Sequence, residues 1–195
     1  MSYDSSATRA RLLAAAYDEF VRVGFAGARV DRIATAASAN KQAIYAYFGS
    51  KEALFDAVLA DRLRVLADVV PFTPDDLAGY TGALFDELTA DPGLQRLTQW
   101  KMLERPEASD QEREAHLSKA GAIAERYGVE VTTAMDAMMI ALAAAQSWNM
   151  TALVIRNPLD EDPGKRLANH RAAIVTAVAA VTTALLDGPG PGGRK

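Results

Sequence analysis

Apolar positions in the first quarter of the chain fall at helical spacing. In "ATRARLLAAAYDEFVRVGF" they are Leu12, Leu13, Ala16, Tyr17, Phe20 and Val21, one stripe of a helix that Ser6 is placed to cap and Gly24 to stop. A shorter segment, "VDRIATAA", keeps Val30, Ile33 and Ala34 on one face. "SAN" then breaks the run, and Asn40 is suited to cap the next helix, anchored by Ile44 and Phe48. From Ser50, Leu54, Phe55, Val58, Leu59, Leu63 and Leu66 hold helical register behind a capping hydroxyl and an acidic first turn at Glu52. The spacing therefore predicts a long helix, a short helix, a tight turn, a second short helix and a longer helix that links two modules.

Beyond Pro71 the punctuation stays helical. "TPDD" and "DPG" each offer a cap and a proline at a helix start, and Ser109 opens a segment that ends near Gly128. Two long helices follow, about Thr132 to Ile155 and Gly164 to Leu186, separated by the acidic loop "NPLDEDPG". No strand pattern competes, so the fold class is all-α. The tail "GPGPGGRK" cannot form a helix and is expected to be disordered.

The uncharged stretch "AMMIALAAAQSWNMTALVI" is long enough to raise a membrane span. Its many alanines contribute little to transfer, and Gln146, Ser147, Asn149 and Thr151 interrupt it, so a helix buried in a bundle is the reading and no membrane partner is expected. With 195 residues, half of them hydrophobic, the chain buries a substantial core. It has no cysteine and only two histidines, His116 and His170, far apart in sequence. That argues against disulfides, metal sites and histidine catalysis; no metal ligands, catalytic residues or cofactors are assigned. A polar start carrying Asp4 does not read as a signal peptide, and the cytoplasm is the expected compartment. The net charge of -4 is uneven: residues 1–64 hold 9 Lys+Arg against 7 Asp+Glu, the remainder 12 against 18. The basic end is the front.

That front half concentrates Lys41, Gln42, Tyr45, Tyr47 and Lys51 in "ANKQAIYAYFGSKEAL", more polar and aromatic chemistry than folding requires. Two short helices joined by a tight turn and backed by a longer one make a helix-turn-helix, whose second helix fits the DNA major groove. Lys41 and Gln42 lie in its first turn, after the Asn40 cap, where glutamine suits adenine and lysine suits guanine or phosphate. Tyr45 and Tyr47 are placed to pack on sugars or thymine methyls, while Ala43 and Ala46 keep the groove face slim. Lys51 at the next helix start suits a phosphate, and Arg29 and Asp31 flank the surface, Arg29 as a backbone contact. The same tyrosines would also serve to cover the edge of a core.

Residues 9 to 58 resemble the amino-terminal domain of the tetracycline-repressor (TetR) family, through "LLAAAYDEF", "GF", "RIATAA", "KQAIYAYFGSKEAL" and "DAVL". Against the family pattern, Ser38 replaces the turn glycine, Ala39 a buried valine, Asn40 a serine cap, and Arg29 the hydroxyl that caps the second helix. Asn40 caps as well as serine. Arg29 cannot cap, which leaves the start of that helix weak.

The resemblance divides the chain into a helix-turn-helix DNA-binding domain over 1–60, a helical ligand-sensing and dimerising domain over 61–187 and a tail over 188–195. It implies a regulator, read as a repressor released from a palindromic double-stranded DNA operator by a small, largely apolar effector. The last helix carries Ile174, Val178, Val181 and Leu185 along one stripe beside Ala177, Ala180 and Ala184, read as half of a homodimer face built from the last two helices. For the effector the candidates are Phe85, Trp100, Met102, Tyr127, Met135, Met138, Met139 and Trp148, with Gln146 and Asn149 as orienting groups. Plain core packing is the competing role for each. The alternative for the whole chain is an apolar small-molecule carrier whose DNA head is vestigial.

Overall fold

Ten helices make up the residues described, 2–187, in a computed structural model. They are α1 (Ser2–Gly27), α2 (Val30–Ala36), α3 (Lys41–Phe48), α4 (Lys51–Val69), α5 (Leu77–Ala90), α6 (Pro92–Glu104), α7 (Asp110–Tyr127), α8 (Val131–Met150), α9 (Leu153–Arg156) and α10 (Pro163–Leu185). No strand occurs among the described residues, and the architecture is all-α as expected. The tail assigned to 188–195 lies outside the described residues.

The chain divides into two compact units. One comprises residues up to Asp68 together with Gly93–Glu107, the other Val69–Pro92 together with the chain from Ala108 onward. This differs from a single cut near residue 60: α4 stays with the first unit almost to its end, and α6 rejoins that unit from the middle of the sequence.

In the first unit, Leu12, Ala16, Phe20, Ile33, Ile44, Leu54, Phe55, Val58 and Leu97 form one apolar core. Phe20, Phe25 and Phe55 meet within it, two of the three pairs edge to face with centroids 5.0 and 5.6 Å apart. α1 begins earlier than the Ser6 cap implied, but Gly24 does interrupt it, at φ 73°. A Cβ on Gly24 would come within 2.9 Å of the Trp100 ring and of Glu104 Oε1, so glycine is needed there twice over. The amides that this break exposes are met from α6: Glu104 Oε2 accepts from the N–H groups of Phe25 at 2.6 Å and Ala26 at 3.0 Å. Trp100 Nε1–H donates to the Val21 carbonyl, and Arg105 grips Asp56 while lying over Phe25 and Phe55. Capping groups on α6 and α1 thus replace local ones. Arg29 indeed places no side chain on α2, as its chemistry requires. Instead Glu19 Oε1, from α1, accepts from the Arg29 N–H at 3.1 Å, and the same carboxylate pairs with Arg22 and Arg32.

The turn after α2 contains Ser38 at φ 52°, the left-handed conformation that glycine adopts freely. Ala39 N–H reaches back to the Ala34 carbonyl and Ser38 N–H to Thr35, so the turn is fully bonded despite that residue. Arg11 Nε donates to the Ala37 carbonyl and ties the turn to α1.

The second unit is a bundle in which α5, α8 and α10 pack on one another and α7 packs on α8. Its core includes Leu77, Leu84, Phe85, Ile123, Met138, Ala141, Ile174 and Val178. Gly82 lets α10 approach closely, since a Cβ there would sit 3.0 Å from Arg171 and Val175. Ser109 and Glu112 form the capping box of α7, and Gly128 closes it in the left-handed conformation. α5 starts at Leu77 with Asp76 as its cap, later than "TPDD" suggested, whereas Pro92 opens α6 as read. The helix expected to run to Ile155 breaks at Thr151 and Ala152, both extended. Ser147 and Thr151 hydroxyls bond nearby carbonyls there and compete with the helical ladder. The stripe on the last helix also needs correction. Ile174 and Val178 are buried within the unit and Val181 is half-buried, whereas Leu185 stays exposed beside an open face that includes Ala172, Ala173, Thr176, Ala177, Ala180 and Ala184.

Two outcomes follow from these contacts. Ser38→Gly relieves the left-handed serine, offset in part by greater freedom of the unfolded chain, and should stabilise the first unit by about 0.5–1 kcal/mol in urea unfolding. For Glu19, burial pushes the carboxyl up, but the hydrogen bonds from Arg22 and Arg29 and the charges of Arg22 and Arg32 outweigh it and hold the group below its ordinary value of 4.5. A depressed carboxylate contributes stability above the unfolded value and loses it as pH falls through the folded one. Glu19→Gln should therefore cost about 1.5–3 kcal/mol at pH 7, with the gap to the unsubstituted protein closing below about pH 4.5 in urea titrations at stepped pH.

Candidate nucleic-acid interface

Ile44, fully buried, fixes the rotation of α3, and everything the helix offers outward follows from that anchor. Asn40 Oδ1 accepts from the Ala43 N–H at 2.8 Å and starts the helix. Gly49, at φ 82°, ends it. With Ile44 inward, Lys41, Gln42, Tyr45 and Ala46 are exposed and Ala43 is half-buried. The result is a narrow convex surface with an ammonium and a primary amide in its first turn and a phenol one turn later.

Tyr47 departs from the flank position: it is half-buried, packs against the core of the first unit and lies beside Phe48, ring centroids 6.3 Å apart. Lys51 also packs inward, its Nζ 4.7 Å from the centre of the Phe25 ring. The cation remains beside the start of α4, whose Ser50 cap accepts from the Ala53 N–H. Arg29 is exposed just ahead of α2. Asp31 pairs with Lys41, Oδ1 to Nζ 3.2 Å, and both side chains are more than half exposed. A pair so open to water is worth at most about 1 kcal/mol, so Lys41 is held loosely and is free to turn to another anion. All nine sequence-assigned residues of this surface lie on α2, α3, the turn between them or the adjoining helix ends.

Sequence reasoning missed the residues that set the angle of this surface. Arg11, Glu19, Trp100, Glu104 and Arg105 position it through bonds from outside α2 and α3. Glu19 had a legible signal, a carboxylate beside Phe20 on the apolar stripe of α1. Glu104 and Arg105 meet partners about 50 to 80 residues away, and no local pattern announces that.

The effector candidates are divided between the two units. Trp100 and Met102 belong to the first unit, where Trp100 packs on Gly24 and Met102 is exposed. Met139 is 58% exposed on α8. Met138 is core, Met135 is half-buried on the same helix, and the Tyr127 hydroxyl donates to the Asp75 carbonyl. Gln146 bonds the Leu142 carbonyl of its own helix, while Asn149 Nδ2 donates to Leu88 on α5. Phe85 and Trp148 do come together, bridged by the ring of His170. A shallow surface depression on α7, bordered by Asp110, Arg113, Glu114, Leu117 and Ser118, contains none of the candidates. Among the described residues no cluster of His, Asp or Glu is arranged to hold a metal ion, and no single helix is long and apolar enough to cross a membrane.

Comparison with known proteins bears on both units. A family model described as bacterial regulatory proteins, tetR family, matches residues 12–58, and one described as tetracyclin repressor-like, C-terminal domain, matches residues 76–179. The chain is 43% identical over 153 residues to the HTH-type transcriptional repressor SCO4008 of Streptomyces coelicolor, covering 74% of this chain and 79% of that protein. It is 50% identical over 52 residues to the HTH-type transcriptional repressor NicS of Pseudomonas putida, a match limited to 27% of this chain and 24% of the relative. The crystal structure of SCO4942 from Streptomyces coelicolor superimposes with a TM-score of 0.75 at 36% identity, covering 89% of this chain and 97% of the other. With matched models over both units and relatives aligned along most of its length, the chain belongs to the TetR family of DNA-binding transcriptional regulators.

Proposed function

We propose that this protein is a repressor that binds a palindromic operator as a homodimer and leaves it when a small molecule binds the second unit. The observation that carries the DNA reading is the outward row of Lys41, Gln42 and Tyr45 on a helix whose rotation Ile44 fixes. Gln42 reads a base edge, Lys41 a guanine or a phosphate, and Tyr45 a sugar or thymine methyl. Arg29 and Lys51 hold the backbone, Lys51 after leaving the Phe25 ring. Asp31 competes weakly with phosphates for Lys41 and so lowers its indiscriminate contacts more than those of an operator that Gln42 also reads.

Two reading helices on one palindrome must stand about 34–36 Å apart, which calls for a twofold pair of chains. The alanine face of α10 and the exposed Met139 and Ile140 of α8 support pairing through these last long helices. Small side chains let two such helices approach closely. Release requires an effector that binds the DNA-incompetent arrangement better than the DNA-bound one, and α4 carries the chain from one unit into the other. The site of action is DNA in the cytoplasm.

Selection of bound sequences from random duplex, with the oligomer followed in the same titration, tests this reading; recovery of no common sequence, or of a single half-site bound by one chain, would sink it. On the selected operator, Gln42→Ala should lose about 1–3 kcal/mol of discrimination at one base position. Lys51→Ala should weaken all sequences alike and flatten the salt dependence. Asp31→Asn should raise affinity for random duplex more than for operator, narrowing the ratio between them, as measured by fluorescence anisotropy at two salt concentrations.

A further inference from the structure

Around Trp148 the second unit gathers cations and rings, and although the loop joining them carries Asp160, Glu161 and Asp162, none of these carboxylates pairs with the cations. Trp148 lies in the last turn of α8; the Arg156 guanidinium, on α9, lies 5.0 Å from its ring centre, and that of Arg166, in the first turns of α10, lies 5.6 Å from it. The His170 ring, also on α10, stands 5.3 Å from Trp148 and 5.8 Å from Phe85 on α5.

The other described arginines of this bundle have carboxylates. Arg126 holds Asp75, Arg171 holds Asp86, and Arg113 lies 4.0 Å from Asp110. Among the described residues Arg156 and Arg166 have none within ion-pair distance. Arg156 gives one Nη1–H to the Trp148 carbonyl at 3.1 Å, and its Nε–H is buried with no acceptor at all. An unmet donor on a buried part of a cation is costly. An oxygen acceptor beside the indole relieves that condition and partners a guanidinium that has no carboxylate.

The surroundings suit an anion as well. Ser147 gives its single hydroxyl proton to the Ala144 carbonyl at 2.7 Å, so its oxygen accepts from His170 Nε2–H at 2.9 Å. This places a proton on Nε2, and burial, aided by the nearby Arg166 charge, lowers the tendency of the ring to take up a second one. His170 thus buttresses Trp148 without donating or demanding charge. Leu153 and Ile155, exposed on the short helix that carries Arg156, supply apolar surface for the rest of a ligand.

We propose that Trp148, Arg156 and Arg166 form a binding site for an organic oxyanion, a carboxylate or phosphate head that takes its hydrogen bonds from the guanidiniums packed on the indole. The site is one that the sequence did not show, because Arg156 and Arg166 reach Trp148 only after the chain breaks at Thr151 and turns back at Pro163. It builds on the reading of the second unit as a sensor, but binding and operator release are separate measurements.

The full chain carrying Trp100→Phe leaves Trp148 as its one tryptophan, and the probes are octanoate, octyl phosphate and neutral octanol. Both anions, or one of them, should change Trp148 fluorescence saturably and bind on the order of tenfold more tightly than octanol. Their ratio identifies the head. Arg156→Gln and Arg166→Gln should each weaken the anion on the order of tenfold and leave octanol unmoved. Calorimetry on the chain with both tryptophans repeats the comparison should Trp100→Phe disturb the first unit, and Arg166→Lys, which keeps the charge, should retain more affinity than Arg166→Gln. Octanol binding as tightly as the anions, anion affinity indifferent to both glutamine substitutions, or no saturable binding would each overturn the site. If the anion binds but leaves operator affinity unchanged, the site stands and the effector reading fails for that ligand.

Discussion

A helix start needs acceptors for its bare amides, and in the first unit they come from carboxylates far away in sequence. Glu19 meets the amide ahead of α2, and Glu104 meets those that follow the Gly24 break in α1. These two contacts determine where α1 ends and how α2 departs from it. Since α3 is placed by α2 and by the buried Ile44, the pitch of the reading surface is inherited from them. An apolar core alone would tolerate small rotations, because burial has no direction. Hydrogen bonds to fixed amides do not.

Much of this was legible before any coordinates. The periodicity of Leu12 to Val21, the Asn40 cap, the Ser50 cap and the Gly24 stop all stand as read, because each depends on residues within one or two turns. The groove-facing set Lys41, Gln42 and Tyr45 was legible for the same reason: one buried isoleucine fixes them all. Tyr47 and Lys51 pack more closely than an open flank suggests: Tyr47 covers the core edge beside Phe48, and Lys51 lies over Phe25, a contact not written into a local pattern. Arg29 shows a partial success. Its failure to cap was evident, but the remedy, a glutamate ten residues earlier, depends on the fold.

The second unit was less readable. Alanine-rich helices such as α8 and α10 are apolar on several sides, so periodicity could not tell the face packed on α5 from the face left open. Ile174 and Val178 turned inward for their bulk, and the alanines remained outside. Methionine and tryptophan take varied places for a related reason: Met138 is core, Met102 and Met139 are exposed, and Trp100 packs on a glycine in the other unit. Where aromatic residues did assemble, around His170, the informative partners were arginines that sequence reading had passed over.

The return of α6 to the first unit bears on how this protein is divided by recombination. A segment ending after α4 would carry the whole helix-turn-helix yet lack Trp100, Glu104 and Arg105, leaving the amides after Gly24 bare and Phe25 without its arginine lid. Chimeras that trade heads between relatives therefore inherit a matched DNA grip only when residues 93–107 travel with residues 1–68. The heritable module is discontinuous, two stretches of gene that must come from one parent.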